Sequence, residues 1–211
     1  MFNDRNDAAN KLSAALNQYK GKNPLVLAIP RGAVPMARII ADELNGDFDV
    51  VLVRKLRAPY QPELAIGSID ESGWAYIAPH APSTGADQRY IDSEKHAQME
   101  TIRARRKQYT PIRPPLDPHG RIVIVIDDGL ATGATMISAL HGLREKKPAK
   151  LICAVPVSPP DTLNRIEKLA DEVVCLLSPE YFQAVGQFYR NFDQVEDDEV
   201  TDLLRHSGGL K

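Results

Sequence analysis

The chain has 211 residues, a length suited to one domain of moderate size, and 43% of them are hydrophobic, enough for a sizeable core. Its 26 basic and 28 acidic side chains leave a formal charge of −2, so no general field draws it to nucleic acid or to an anionic membrane, and any basic site must be local. No stretch approaches the ~18 consecutive apolar residues of a transmembrane helix, and the opening Met1-Phe2-Asn3-Asp4-Arg5-Asn6-Asp7 lacks a signal-peptide layout, which together predict a cytoplasmic protein.

In chain order, Asp7 is placed to cap a first helix on which Leu12, Leu16 and Tyr19 recur at helical spacing, with Gly21 ending it. Leu25–Ile29 reads as a buried strand. After Pro30-Arg31-Gly32 come a helix over about Val34–Leu44 and a second strand over Asp49–Val53, which makes a β-α-β unit. Ala65–Ile69 and Trp74–Ile77 read as two short strands around Asp70-Glu71-Ser72-Gly73, an antiparallel excursion, and Pro79–Gln88 as a polar connection.

A helix is expected from about Asp92 to Tyr109, capped by Asp92 or Ser93, with Met99, Ile102 and Tyr109 on its apolar side. Its cations Arg103, Arg105, Arg106 and Lys107 could reach a substrate, but they better suit a solvated face near the negative end of the macrodipole. Pro111, Pro114, Pro115 and Pro118 stiffen the connector that follows. Alternation then resumes with a strand at Val123–Ile126, a helix to about Lys146, a strand at Lys150–Val155, a helix near Thr162–Leu169 and a strand at Glu172–Leu177. This order predicts an α/β fold: a mainly parallel sheet with helices on both faces.

The final segment holds Tyr181, Phe182, Phe188, Tyr189 and Phe192 and then a helix over Glu196–His206, so residues from about 178 to 211 are expected to cover the sheet edge or to hood a pocket within one domain spanning 1–211. Cys153 and Cys175 lie in apolar runs and are expected as reduced, buried thiols on strands. The five histidines show no zinc-ligand spacing, and none is assigned to metal.

The chemistry concentrates in Val123-Ile124-Val125-Ile126-Asp127-Asp128-Gly129-Leu130-Ala131-Thr132-Gly133-Ala134-Thr135. A strand buried on both faces delivers two carboxylates at its carboxyl end, where open α/β sheets bind ligands and where acids can hold hydroxyls or a divalent cation. The loop that follows has the opposite polarity: Gly129 and Gly133 let several amides converge, Thr132 and Thr135 add hydroxyls, and a helix starting near Ala134 adds its positive end. Together they suit a sugar phosphate. Neither a Walker loop nor a Gly-x-Gly-x-x-Gly fingerprint occurs, so a nucleoside triphosphate fits less well. Two further groups are placed at the same edge, Pro30-Arg31-Gly32-Ala33 after the first strand and Arg54-Lys55-Leu56-Arg57 at the end of the second.

The thirteen-residue run closely resembles the phosphoribosyl pyrophosphate (PRPP) motif of the type I phosphoribosyltransferases, and Pro30-Arg31-Gly32-Ala33 resembles their pyrophosphate loop, in which a strained or cis peptide often exposes amides. Ile29–Pro35, Glu63–Gly67 and Ala184–Tyr189 look like bacterial phosphoribosyltransferase-domain proteins of undefined acceptor. The resemblance runs from about Leu25 to Tyr189. It implies Mg²⁺-dependent transfer of the 5-phosphoribosyl group from PRPP to a nitrogenous acceptor, a nucleobase by expectation, with release of pyrophosphate.

Arg31, Gly32, Ala33, Lys55 and Arg57 would then serve the pyrophosphate, and Asp127 and Asp128 the ribose hydroxyls and the metal. Gly129 and Ala131–Thr135 would hold the 5′-phosphate. Arg31, Lys55, Asp127 and Asp128 are the residues implied in catalysis, and Tyr181 or Phe182 is a candidate to stack on a base. A mobile catalytic loop is implied between Leu56 and Tyr90, with Arg57–Leu64 and Pro79–Gln88 as candidates. Ala131 stands where 6-oxopurine-type members usually carry an acid, which disfavours that acceptor class.

Two other readings stay open, a PRPP- or nucleotide-binding regulator without turnover and a hydrolase using water, for which Glu180 is the nearby acid. The oligomeric state is open, with a homodimer one expectation.

Overall fold

In a computed structural model that describes residues 1–112 and 114–205, five parallel strands form the main sheet. They are β1 (Leu25–Ala28), β2 (Asp47–Val50), β6 (Ile122–Ile126), β7 (Lys150–Val157) and β8 (Glu172–Leu177), in the order β2-β1-β6-β7-β8. β3 (Val53–Arg57), β4 (Ala65–Asp70) and β5 (Ala75–Ile77) form a separate antiparallel sheet. The helices are α1 (Arg5–Ala15), α2 (Val34–Leu44), α3 (Gln88–Tyr109), α4 (Ala134–Glu145), α5 (Pro160–Ile166) and α6 (Asp197–Arg205).

Alternate residues of the central strands feed two cores. Val26, Ala28, Ile124, Ile126, Ile152 and Ala154 pack with the apolar sides of α1 and α2. Leu25, Leu27, Val123, Val125, Leu151 and Cys153 pack with Met136, Leu140 and Leu143 of α4. Strands buried on both faces have to be apolar at every position, which is why β1 and β6 read as unbroken hydrophobic runs. From β1 the chain moves outward to β2, and from β6 it moves the other way to β7 and β8. The strand order therefore reverses between β1 and β6, and a crevice opens at their carboxyl ends.

Several expected boundaries shift for identifiable reasons. Asp4, not Asp7, caps the first helix, accepting from the Asp7 amide at 2.8 Å, and Tyr19 falls on a separate helical turn beyond it. The long helix begins at Gln88 rather than Asp92, because Asp87 accepts from the Tyr90 amide at 2.8 Å and Ile91 is buried in the first turn. The last helix starts at Asp197, and His206, its expected end, lies outside the described residues.

The largest correction concerns the expected strand Asp49–Val53. It is two strands in two sheets: the Val51 amide makes a last bond to the Ala28 carbonyl at 3.0 Å, and the chain then crosses to β3. Arg54, Lys55, Leu56 and Arg57 thus belong to the small sheet, where a register shift between Leu56 and Arg57 breaks the simple alternation. The two thiols are free, Cys153 buried on β7 and Cys175 half-buried on β8. No helix among the described residues is long and apolar enough to cross a membrane.

Candidate functional site

A cavity of about 330 Å³ opens at the reversal point, lined by Pro30 and Gly32 after β1, by Asp127–Thr135 after β6, by Lys55 of β3, and by Val185 and Phe192. Its phosphate-sized corner is set by the loop Gly129–Gly133. Thr162 Oγ1 donates to the Ala131 carbonyl at 2.7 Å, and Arg165 Nη2 to the Thr132 carbonyl at 3.1 Å, so α5 holds the loop's carbonyls. The amides of Ala131, Thr132, Gly133 and Thr135 find no acceptor among the described residues. Gly133, at φ +71°, turns the chain into α4, and a Cβ there would come within 2.7 Å of the Thr162 methyl. Unpaired amides at a helix start attract an anion.

The loop after β1 offers a second set. The Pro30-Arg31 peptide is cis, and the amides of Arg31, Gly32 and Ala33 also find no acceptor among the described residues. Only glycine fits at position 32, because a Cβ would fall 3.0 Å from Asp128 Cγ and 3.1 Å from Arg5 Nη2.

The two acids occupy different environments. Asp127 accepts from the Asp128 amide at 2.9 Å; burial and the charge of Asp128 push its pKa well up, against the pull of that amide, Lys55 and Arg5. Asp128 is also raised by burial, but here the Arg5 guanidinium opposes the shift. Arg5 Nε and Nη2 donate to Asp128 Oδ2 at 3.0 and 2.8 Å, Nη1 donates to the Asp193 carbonyl, and the guanidinium carbon sits 3.9 Å over the Phe192 ring. Tyr189 donates to the Asp128 carbonyl at 2.6 Å.

Among the described residues Asp127 therefore lacks a direct cationic partner while Asp128 has one. Such a donor set suits Mg²⁺, which takes one or two carboxylates and completes its shell with water and substrate oxygens. Among the described residues no group of three or more His, Cys, Asp or Glu is placed to hold a metal.

The expected site residues separate into two groups. Gly32, Lys55, Asp127, Asp128, Gly129, Ala131, Thr132, Gly133, Ala134 and Thr135 line one cavity. Arg31, Ala33, Arg57, Tyr181 and Phe182 do not. Arg57 is turned to Glu94 at 2.8 Å, Tyr181 is 90% exposed, and Phe182 stacks on Phe188 at 5.3 Å. Glu180 also lies outside the cavity, on the surface. Two cations of the long helix are committed elsewhere, Arg103 to Glu100 at 2.6 Å and Arg106 to Glu71 at 2.6 Å, while Arg105 faces Asp197 at 4.0 Å.

Sequence reasoning did not single out Arg5, Val185 or Phe192 for this site. Arg5 belongs to the first turn of α1, and the amino-terminal segment meets the segment around Phe188 beside the site, where the Phe2 amide donates to the Phe188 carbonyl at 2.7 Å.

The Phosphoribosyl transferase domain family matches residues 3–193. The chain is 42% identical over 205 residues to a "Putative phosphoribosyl transferase" of Mycobacterium tuberculosis, covering 97% of this chain and 46% of that protein. It thus spans about half the length of that relative. It is 26% identical over 186 residues to the uracil phosphoribosyltransferase of Mycoplasma genitalium, covering 83% and 78% of the two chains. The crystal structure of TT1426 from Thermus thermophilus superposes with a TM-score of 0.82 at 40% identity, covering 99% of each chain.

Proposed function

Because the chain belongs to the phosphoribosyl transferase domain family, we propose that it transfers the 5-phosphoribosyl group of PRPP to a nitrogenous acceptor, a nucleobase, with release of pyrophosphate. The observation that carries this reading is one cavity with loop amides that find no acceptor among the described residues at one end and the Asp127–Asp128 pair beside it. The uracil phosphoribosyltransferase among the relatives favours a nucleobase acceptor. Two free thiols favour a reducing, cytoplasmic setting. The chain is read as one domain over 1–211, with the segment from about residue 178 as its hood or covering segment.

Displacement at ribose C1 separates charge: the ring becomes cationic while negative charge builds on the leaving pyrophosphate. Donors already aimed at that pyrophosphate stabilise the transition state more than the ground state. The amides of Arg31, Gly32 and Ala33 and the Lys55 ammonium take this role, while the amides of Ala131, Thr132, Gly133 and Thr135 hold the 5′-phosphate. Asp128, fixed by Arg5, and Asp127 orient the ribose hydroxyls and favour the cationic ring. Mg²⁺ held by Asp127 with Asp128 would neutralise charge on the pyrophosphate. Phe192 supplies an apolar wall for a planar acceptor.

The test is mass-spectrometric detection of ribosyl-5′-phosphate products after incubation with PRPP, Mg²⁺ and a mixture of nucleobases, with Asp127→Asn as control. A new product absent from the control is expected. PRPP binding without product would instead support a non-catalytic binding protein, and the absence of both would refute the PRPP reading.

A further inference from the structure

Arg31 lies in the loop after β1, yet its side chain is drawn to the start of α6. Its Nη1 lies 3.4 Å from Glu196 Oε2 and 3.5 Å from Asp197 Oδ2. The other Asp197 oxygen lies 4.0 Å from Arg105 Nη2 of α3, so one carboxylate sits between guanidinium groups from two remote parts of the chain. Arg54 of β3 adjoins them: burial and the charges of Arg105, Arg57 and Arg31 hold its pKa down, and its Nε donates to the neutral amide of Gln98 at 3.0 Å.

These contacts are unlike the protein's structural ion pairs. On the same helix Arg106 grips Glu71 with two bonds of 2.8 and 2.6 Å, and nearby Arg57 meets Glu94 at 2.8 Å. Charge-assisted pairs normally close to ~2.7–2.9 Å, and the Asp197 contacts stay well beyond that. Two polar atoms are also left over. Among the described residues Asp197 Oδ1 is buried without a hydrogen bond, and so is the hydroxyl of Tyr109, a side chain only 1% exposed that feels the charges of Arg105, Asp197 and Arg31. A buried, unpaired hydroxyl is costly unless a partner reaches it. The group thus holds one carboxylate loosely between two guanidinium groups, with Arg54 and an orphan hydroxyl close enough to share their charge.

We propose that Arg31, Arg54, Arg105 and Tyr109 form a seat for a pyrophosphate anion, and that the Glu196 and Asp197 side chains fill it as an internal, exchangeable anion. A pyrophosphate has enough oxygens to meet all three guanidinium groups and the hydroxyl. Exchange needs only side-chain rotation, because Glu196 and Asp197 are 66% and 42% exposed while buried Val200 and Leu204 keep α6 docked. The seat adjoins the cavity through Gly32. Assigning the anion to the donor's leaving group rests on the function proposed above; the seat itself does not.

The test is calorimetric titration with inorganic pyrophosphate, run with chelator present and in parallel with PRPP. Glu196→Gln/Asp197→Asn, at exposed positions, is expected to tighten pyrophosphate by about fivefold to tenfold by removing the internal competitor. Arg105→Gln is expected to weaken it about tenfold, with Arg105→Lys recovering part and Tyr109→Phe losing a smaller amount. If PRPP affinity moves in step, the seat serves the donor's leaving group; a shift confined to free pyrophosphate makes it a product or effector seat. Pyrophosphate affinities unchanged across these variants, or no pyrophosphate binding, overturn the seat even if PRPP is still bound and turned over. Expected pyrophosphate shifts without PRPP binding would keep the seat and sink the transferase reading.

Discussion

Removing Arg5 tests whether the amino-terminal helix is part of the site or merely packs near it. Arg5 makes two bonds of 3.0 and 2.8 Å to Asp128, with the two side chains 12% and 16% exposed. Breaking a buried pair from one side costs about 3–5 kcal/mol, but this pair borders an open cavity where Asp128 regains water. A cost of about 2–3 kcal/mol is therefore expected for Arg5→Met, including the lost contact with Phe192. For a chain of 211 residues each kcal/mol shifts Tm by about 2–4 °C, so the variant should melt roughly 4–12 °C lower.

The sharper assay is a double-mutant cycle with Asp128→Asn, read by urea unfolding. If the contact is direct, the two substitutions couple by more than about 1 kcal/mol. Additivity within about 0.5 kcal/mol would refute the argument, because residues that do not share an interaction add.

Other consequences follow from side chains that the cavity includes or leaves out. Lys55→Met should lower kcat/KM for PRPP by about tenfold to a hundredfold, the worth of one charge-assisted contact; steady-state kinetics showing less than a twofold loss would remove Lys55 from the site. Phe192→Ala should raise the acceptor KM, while Tyr181→Ala, at 90% exposure, should leave it unchanged, and the reverse order would return the base to the surface aromatic. Burial alone would raise the pKa of Glu94, but bonds from the Arg57 side chain and amide and from Gln98 hold it below the ordinary 4.5. The native state then binds this proton less readily than the unfolded chain, so the stabilisation is complete above about pH 4.5 and is lost as pH falls through the lowered native value. Glu94→Gln should flatten that acid limb in pH-dependent unfolding, and an unaltered limb would show that Glu94 does not govern it.

The fold was legible wherever the local pattern and the tertiary partner agree. The helix at Val34–Leu44 and the strand at Glu172–Leu177 lie where spacing and apolar runs place them. The second strand failed because the run Val50–Val53 stays apolar while the chain passes from one sheet to another, and hydrophobicity carries no mark of that change. The start of α3 failed because Asp87 and Asp92 are both credible caps; Ile91 settles the choice, since it is buried only once the helix docks on β3.

The site was legible where one stretch of chain builds it and opaque where distant stretches meet. Strand, acids, turn and helix start form a continuous segment from Val123 to Thr135, so one local pattern encodes the whole cradle. Arg5 reaches Asp128 across 123 positions, a separation that no helical or strand period records. One signal was nonetheless present. Arg5 is the first residue of α1, one place after the Asp4 cap, where the positive end of the macrodipole disfavours a cation. An arginine placed against its own helix dipole needs an acid from elsewhere, and the chain holds adjacent acids at the end of a buried strand. That conflict between residue and position is a physical clue to a long-range contact, and it predicts that Arg5→Gln should relieve the α1 terminus while costing the site.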